Sequence, residues 1–279
     1  MLPSLQSLLD TLKDGETLTL PPGEFAGGLV LRASGCTLRS DGETVIVGGE
    51  DGLRADGLDG LTLEGVHFRG QEKRAVFVTR SRKFRIYRLF IQDQGGIGIL
   101  TGKTSDALID GCHVEGGEDG HAIYLSEGGD DLHILRCIIP SAGRCGIQVN
   151  AVQENPKPGK KDRDGISERV SLSGNVIRSC GKMGGAAINL MGVRGGSVSE
   201  NHLFHNLAGG IALWDDDAGE QSACRNVTVQ ANEIFFDPGI GRYCIQVGKG
   251  CRNIRIPKGS NRFKIDNGPE IEAFAPYRS

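Results

Sequence analysis

The sequence lacks several features that would assign it to a common functional class. No run of apolar residues approaches the roughly 18 that a membrane-spanning helix requires, so we expect no membrane segment. The formal net charge at pH 7 is only −3, which argues against a protein that binds nucleic acid through bulk electrostatics. The eight cysteines contain no CxxC pair, which makes a zinc site a poor explanation for them.

The N-terminal residues also lack the marks of a signal peptide. The segment MLPSLQSLLDTLKDGE has no basic start, no long apolar run and no small-residue cleavage site. A chain from which a signal had been removed would look the same. The cysteines carry no sign of pairing and suit a reducing compartment, so these features leave the location of the protein open.

Glycine, by contrast, is abundant. It contributes 43 of 279 residues, about twice its ordinary share, whereas aromatic residues make up only 5% of the chain. Glycines that are spread evenly along a chain rich in valine, isoleucine and leucine indicate many short strands separated by tight turns.

A repeat becomes visible when the chain is aligned on the segments LTLEGVHF, FRIYRLFI, LIDGCHVE, LHILRCII, VSLSGNVI, SVSENHLF and VTVQANEIF. Each segment has alternating apolar residues, a bend and one or two further apolar residues. The bend positions are Val66, Leu89, Cys112, Cys137, Asn175, Asn201 and Asn232. They are spaced by 23 to 26 residues, apart from two longer intervals of 38 and 31 residues that contain insertions. A repeat of this length predicts a solenoid.

A second set of strand-like segments follows the bends by 11 to 14 residues. Strict alternation within AIYLS places Ile123 and Leu125 on one side of the strand and Tyr124 and Ser126 on the other. The apolar pair recurs as Ile147/Val149, Ile188/Leu190, Ile211/Leu213 and Ile245/Val247. Stacked in parallel, these pairs predict the aliphatic core of an all-β solenoid with about seven or eight rungs or more.

The bend column ends in Asn175, Asn201 and Asn232. Stacked amides at a bend can hydrogen-bond from one rung to the next, which predicts an asparagine ladder. Cys112 and Cys137 occupy the same column in earlier rungs, and we interpret them as stacked buried thiols. A disulfide between them stays geometrically conceivable, because neighbouring rungs lie about 4.8 Å apart.

The repeat predicts a single domain over residues 1–279, because no rung can bury its apolar face alone. Leucines at positions 5, 8, 9 and 12 lie on one face of a helix and predict a short N-terminal capping helix. We expect the cap helix at 1–14, irregular first rungs at 15–58, regular rungs at 59–256 with loop insertions at 151–168 and 215–225, and a C-terminal cap at 257–279.

These features together resemble the pectin-lyase-like right-handed parallel β-helix superfamily. The resemblance rests on the leading helix with GETLTLPPGEF, the segment DGLTLEGVHFRG, the asparagine ladder and the repeated xIxLx strands, and it covers nearly the whole chain. Members of the superfamily include polysaccharide lyases, glycoside hydrolases, epimerases, phage tailspikes and non-catalytic proteins. The resemblance therefore implies a right-handed parallel β-helix and leaves the reaction open.

The resemblance also implies a place for a site, a groove walled by adjoining loops. The strands beneath the groove are those at 121–126, 145–150, 186–191 and 209–214. Both long insertions directly follow such strands, as binding loops of solenoids commonly do. Polar side chains with one exposed tryptophan suit a sugar chain. The candidate substrate-binding residues are Ser126, Glu127, Arg144, Gln148, Asn150, Asn189, Trp214 and Gln246.

His121 and Tyr124 are the first candidates for proton transfer. A histidine and a tyrosine can take and give the proton of a β-elimination, provided that the turn before the strand lets His121 lean into the groove. A turn histidine beside an ordinary surface tyrosine is the alternative interpretation. Arg242 is a further catalytic candidate, and Arg144, Lys160 and Lys161 could likewise engage a uronate carboxylate, which arginine binds by two parallel hydrogen bonds.

Asp215, Asp216 and Asp217 form the densest acidic cluster. Three interpretations stay open: Asp215 and Asp216 as acid and base of glycoside hydrolysis, all three as calcium ligands, or a solvated turn. Calcium is accordingly the one candidate cofactor, although the spacing D-x-D-x-D-G is absent.

The first functional hypothesis is a carbohydrate-active enzyme, a polysaccharide lyase or related uronate-acting enzyme with a poly- or oligosaccharide as its partner. The catalytic motifs of the superfamily's hydrolases and epimerases are missing. A non-catalytic glycan-binding or structural β-helix, or a phage-type spike, is therefore the alternative. We expect no nucleic-acid or membrane partner, and the oligomeric state stays open. A carbohydrate-active protein of this fold would work in an extracellular or periplasmic location.

Overall fold

The computed structural model describes residues 4–150, 165–214 and 223–278. These residues form one short helix and 31 strands, which coil into a right-handed parallel β-solenoid of about ten turns. The predicted fold class is confirmed. The sequence predicted about seven or eight rungs or more, and the structure has about ten turns. The first and last turns were not recognised in the sequence because they carry different residues at the bend. Residues 15–58, expected to be less regular, contain β1–β6 in the same three sheets.

Each turn adds one strand to each of three sheets, which we call sheets A, B and C. Sheet A has 11 strands. They are β1 (Thr17–Thr19), β4 (Cys36–Arg39), β7 (Asp59–Glu64), β10 (Arg82–Tyr87), β13 (Ser105–Asp110), β16 (Gly129–Leu135), β19 (Ser167–Ser173), β22 (Val193–Ser199), β25 (Arg225–Gln230), β28 (Ile254–Arg255) and β31 (Tyr277–Arg278).

Sheet B follows the bend column and has 10 strands. They are β2 (Gly23–Ala26), β5 (Thr44–Val47), β8 (His67–Arg69), β11 (Phe90–Gln92), β14 (His113–Val114), β17 (Ile138–Ile139), β20 (Val176–Arg178), β23 (His202–Phe204), β26 (Glu233–Phe235) and β29 (Arg262–Lys264).

Sheet C also has 10 strands and contains the second set of segments from the sequence. They are β3 (Leu29–Leu31), β6 (Asp51–Asp56), β9 (Arg74–Thr79), β12 (Ile97–Gly102), β15 (Ile123–Ser126), β18 (Ile147–Asn150), β21 (Ala186–Met191), β24 (Gly209–Trp214), β27 (Tyr243–Val247) and β30 (Ile271–Ala273).

The core is built from the inward residues of these strands. Ile123, Ile147, Ile188, Ile211 and Ile245 lie opposite one another in successive strands of sheet C, and all are fully buried. A strand that alternates inward and outward residues presents one face to the core and one to solvent. The outward residues of sheet C are therefore aligned in rows as regular as those of the core.

The helix α1 (Leu5–Thr11) covers the first strand of sheet C. Its N-cap Ser4 accepts a hydrogen bond from the backbone N–H of Ser7, and Leu5 and Leu9 are buried. The Gln6 amide bonds both the N–H and the C=O of Val30, which satisfies backbone groups at the sheet edge. In the described ranges no helix has the length and apolar character needed to cross a bilayer.

The asparagine ladder lies at the bend between sheets A and B. Asn175 Nδ2 donates to Asn201 Oδ1 at 2.9 Å, Asn201 Nδ2 to Asn232 Oδ1 at 2.9 Å, and Asn232 Nδ2 to Asn261 Oδ1 at 3.0 Å. Asn261 extends the ladder by one rung beyond the sequence prediction. Its context, SNRF, matches ENHLF and ANEIF closely enough to have been found.

No disulfide joins any two of the eight cysteines, all of which are buried within the described ranges. Cys112 and Cys137 continue the ladder column toward the N-terminus. The pKa of the Cys137 thiol is raised well above its usual value, mainly by a hydrogen bond with Cys112 and secondly by burial. Such thiols stay protonated and are poor nucleophiles, which agrees with a packing role.

The turns from sheet C to sheet A differ greatly in length. Between β12 and β13 only two residues intervene, whereas β18 ends at Asn150 and β19 begins at Ser167, and β24 ends at Trp214 and β25 begins at Arg225. Both long connections thus leave from the C-terminal ends of sheet C strands. Residues 151–164 and 215–222 within them lie outside the described residues.

Candidate functional site

The outer face of sheet C brings the sequence-predicted groove strands onto one flank. Strand pairing aligns Leu100, Tyr124, Gln148, Asn189, Ala212, Gln246 and Glu272 in a single row along the solenoid axis. We call this alignment the sheet C row. The residues at 121–126 and 209–214 therefore share one sheet, with β18 and β21 between them.

Tyr124 is the centre of the first cluster on this face. Its Oη accepts a hydrogen bond from Asn150 Nδ2 at 3.1 Å, and its ring centroid lies 5.0 Å from that of His121. Ser126 lies beside Asn150 in the register. The turn before β15 places His121 on the groove side, so residues three apart in sequence still meet.

The bonding of His121 determines its protonation. Its Nδ1 lies 3.2 Å from the backbone N of Cys145 and accepts that N–H. Burial, and then the positive charge of Arg144, lower the pKa of His121 to about 4. At neutral pH the ring is therefore uncharged with its proton on Nε2, so it presents a hydrogen-bond donor to the groove. A free imidazole base is not what this geometry provides.

Two amides follow Tyr124 in the sheet C row. Asn189 Nδ2 donates to Gln148 Oε1 at 2.8 Å, and the Cys145 thiol lies 3.3 Å from the same oxygen. Gln148 is only 6% exposed, so its main effect is to hold Asn189. Arg144, in the turn before β18, is half exposed and forms an ion pair with Asp119 at 2.7 Å.

A cleft of about 430 Å³ lies further along the same face. It is lined by Asn189, Met191, Trp214, Arg242, Tyr243, Gln246 and Glu272, together with Gly185, Ala186 and Ala212. Trp214 in this lining is 42% exposed. Gln246 Nε2 donates a hydrogen bond to Glu272 Oε2 at 2.7 Å. The cleft combines an aromatic edge, one guanidinium and polar side chains.

Tyr243 in the cleft was missed by the sequence reasoning. Its ring covers Gly209, where a Cβ would lie 2.5 Å from the ring, and burial raises the pKa of Tyr243 to about 12. The tyrosine is thus neutral. Strict alternation in CIQVG places Cys244 and Gln246 on one face of the strand. Only the three-dimensional structure shows that the ring of Tyr243 covers Gly209 in the preceding strand of sheet C.

The structure does not bring all the predicted site residues together. Arg242 precedes β27, four strands from β15, which at about 4.8 Å per strand is roughly 19 Å from Tyr124. Glu127 lies near Lys103, at 3.8 Å, and lines a separate cavity beside β16 and β19. One reacting bond cannot contact both Tyr124 and Arg242.

The candidate cation ligands Asp215, Asp216 and Asp217 lie outside the described residues, as do Lys160 and Lys161. Over the parts of the chain that are described, no group of three histidine, cysteine, aspartate or glutamate side chains could hold a metal ion.

The lowered pKa of His121 predicts a pH-dependent stability. The unfolded chain protonates this histidine near pH 6.5 and the folded chain only near pH 4. The unfolded state therefore binds more protons in this interval, and the free energy of unfolding decreases as the pH falls through it. Between about pH 7 and about pH 5 we expect a loss of about 2 kcal/mol, which His121→Gln removes. Urea denaturation at both pH values measures the loss, and His133→Gln on sheet A is the control. A loss of equal size in wild type and His121→Gln would contradict the assignment.

Comparisons with known proteins agree with the fold. The family described as "Right handed beta helix region" matches residues 27–157. An alginate lyase from Paenibacillus sp. str. FPU-7 has a similar structure, with TM-score 0.78 and 18% identity over 99% of this chain and 96% of that one. PfbA, a surface adhesin of Streptococcus pneumoniae, gives TM-score 0.64 and 12% identity over 96% and 88% of the two chains.

A Family 28 exopolygalacturonase of Yersinia enterocolitica gives TM-score 0.60 and 10% identity over 98% of this chain and 74% of that one. No curated protein sequence is significantly similar to this chain. At these identities the likenesses demonstrate a shared fold only. The chain folds as a right-handed parallel β-helix, and its residues 27–157 match the family model of that region.

Proposed function

We propose that this protein acts on acidic polysaccharides, as a polysaccharide lyase or related uronate-acting enzyme that binds glycan along the outer face of sheet C. One observation carries the proposal. The Tyr124 hydroxyl accepts a hydrogen bond from Asn150, and its ring lies beside uncharged His121 on the outer face of sheet C, where the Arg144 guanidinium precedes the next strand and the Asn189 amide lies two strands away. Such a cluster supplies a proton carrier together with donors for a carboxylate.

The chemistry of β-elimination matches these groups. The proton at C5 of a uronate must leave, the C4–O4 bond breaks, a C4–C5 double bond forms, and O4 receives a proton. Tyr124 in its anionic form takes the C5 proton, and its hydroxyl then gives that proton to O4, so one oxygen serves both transfers. The hydrogen bond from Asn150 Nδ2, at 3.1 Å, holds this oxygen in position.

The C5 proton becomes acidic only when the adjacent carboxylate is neutralised. His121 offers its Nε2–H, Asn189 its amide, and Arg144 a guanidinium that can exchange Asp119 for the carboxylate. His121 lies on the same rung as Tyr124, Arg144 precedes the next strand of sheet C, and Asn189 lies two strands from Tyr124, roughly 10 Å at about 4.8 Å per strand. They act most strongly on the charge that develops during the reaction, because the groups are already ordered by the fold.

The proposal is tested by incubating the protein with a panel of polyuronates and following the ultraviolet absorbance of unsaturated products. A neutral glucan serves as the substrate control, and each assay is run with added calcium and with a chelator. We expect product from at least one polyuronate and none from the glucan. Polyuronate binding without any unsaturated or hydrolysed product would contradict the enzymatic proposal.

A specific observation favours one alternative, a non-catalytic glycan-binding protein. The Nδ1 of His121 is occupied by the backbone N–H of Cys145, and the cleft around Trp214 has the composition of a sugar subsite. In that case binding depends on Trp214 and turnover is absent.

Both functions predict that Trp214→Ala weakens polyuronate binding about five- to tenfold, because an exposed aromatic edge loses its contact with the sugar. Isothermal titration calorimetry measures this change. Phe90→Ala on sheet B, where the side chain is 40% exposed, is the matched control and should bind as wild type does. Equal affinities of Trp214→Ala and wild type would remove the cleft from the binding surface.

A further inference from the structure

The N-terminal part of the sheet C row continues beyond Tyr124 without interruption. Strand pairing aligns Arg54 with Phe77, Phe77 with Leu100 and Leu100 with Tyr124. Arg54 is thus three strands from Tyr124, which is roughly 14 Å at about 4.8 Å per strand. A long polymer that lies along the axis over Tyr124 and extends toward the N-terminal rungs therefore passes over Arg54 as well.

Phe77 holds two guanidinium groups on the outer face. The Cζ of Arg74 lies 3.9 Å from the ring centroid and that of Arg54 5.0 Å from it. Arg74 is also bound to Asp51 by two hydrogen bonds, of 2.5 and 3.0 Å, so its charge is balanced. The aromatic contact orders Arg54 in advance, which lowers the conformational entropy that ligand binding would cost.

Arg74 and Arg80 each pair with a carboxylate, whereas Arg54 has no carboxylate partner within 4.0 Å among the described residues. The nearest candidate on its own strand face, Asp56, is already bound by Arg80 and by the Thr79 hydroxyl. Glu50 pairs with Lys73 at 2.8 Å. Both acids therefore have closer partners than Arg54, whose exposed guanidinium lies on the outer face of sheet C.

We propose that Arg54, supported by Phe77, is a distal subsite for the carboxylate of a uronate residue in a long substrate chain. The inference rests on the proposed function and extends it, since it states that the protein prefers polymers long enough to reach from Tyr124 to Arg54. The guanidinium binds the carboxylate by two parallel hydrogen bonds, and Leu100 between the two sites gives the sugar chain an apolar surface.

The first test compares Arg54→Gln with wild type on a long polyuronate and on the shortest oligosaccharide that is still turned over. Glutamine keeps the aliphatic stem but removes the charge. For the polymer we expect KM to rise about tenfold with kcat unchanged, because a hydrogen-bonded charge contact is lost outside the reacting bond. For the short oligosaccharide both constants should stay as in wild type, since it does not span the roughly 14 Å.

Arg178→Gln is the matched control, because Arg178 is exposed on sheet B and has no ion pair among the described residues. The control should behave as wild type on both substrates. An equal change in KM for polymer and short oligosaccharide, or no change for either, overturns the distal subsite.

Binding measurements separate failure of the subsite from failure of the proposed function. Calorimetry with Tyr124→Phe and Tyr124→Phe/Arg54→Gln measures the affinity for the polymer under conditions where turnover is lowered about 100-fold or more. A weakening of about tenfold in the double variant supports the subsite. Polymer binding of equal strength in both variants overturns the subsite alone, whereas no polyuronate binding by wild type overturns the proposed function and the subsite together.

Discussion

Tyr124→Phe is expected to lower kcat on the best polyuronate by about 100- to 1000-fold, while KM changes by less than about threefold. The substitution removes only the hydroxyl oxygen that carries the proton from C5 to O4. The ring still packs beside His121 at a centroid distance of 5.0 Å, so the shape of the groove is preserved. Initial rates from the ultraviolet assay give both constants.

Tyr87→Phe is the matched control for this variant. Tyr87 lies at the C-terminal end of β10 on sheet A, where it faces outward away from the groove. Its loss of a hydroxyl should leave kcat and KM as in wild type. If Tyr124→Phe kept more than about a tenth of the wild-type kcat, another group would be carrying the proton and the proposed role of Tyr124 would be wrong.

Asn201→Ala is expected to lower the free energy of unfolding by about 4 kcal/mol. Asn201 Oδ1 accepts both the backbone N–H and the side-chain amide of Asn175, and its own amide bonds Leu172 O and Asn232 Oδ1. All three asparagines are fully buried, so alanine leaves several polar groups without partners and without water. Urea denaturation followed by circular dichroism measures the change.

Asn267→Ala is the control, because Asn267 is exposed and outside the ladder, and its stability should lie within about 0.5 kcal/mol of wild type. A loss below about 1 kcal/mol for Asn201→Ala would mean that water replaces the missing amide and that the ladder contributes little. A second, earlier transition in the variant would instead show that the solenoid unfolds in parts on either side of this rung.

The repeat was visible in the sequence because each turn of a solenoid makes the same contacts, so the same pattern of apolar and polar residues recurs at each turn. Ile123 and Leu125 alternate with Tyr124, and the same pattern recurs wherever a strand joins sheet C, so the inward and outward residues could be assigned before any coordinates. Asn175, Asn201 and Asn232 were recognised for the same reason. The first turns were not counted because β1 to β6 use other residues at the bend, although their strands occupy the same sheets.

The candidate site was predicted less completely. The outward positions of Tyr124 and Asn150 follow from alternation, whereas the choice of this face for a groove came from the resemblance to the superfamily together with the position of the long connections. The protonation of His121 does not, because it depends on the backbone N–H of Cys145, which is distant in sequence and adjacent only across the rung. The separation of Arg242 from Tyr124 likewise depends on how many strands lie between them.

Composition and periodicity alone therefore determined that the chain coils and which side chains are buried, whereas the flank of the candidate site was expected from the resemblance to the superfamily. Only the folded coil shows that Arg54 rests on Phe77 without a carboxylate, that Tyr243 covers Gly209, and that His121 presents a donor. The physical reason is that burial repeats along one strand with a period of two, whereas contacts between side chains on different rungs depend on register and turn length. Those two quantities are set by the stacking of the whole solenoid.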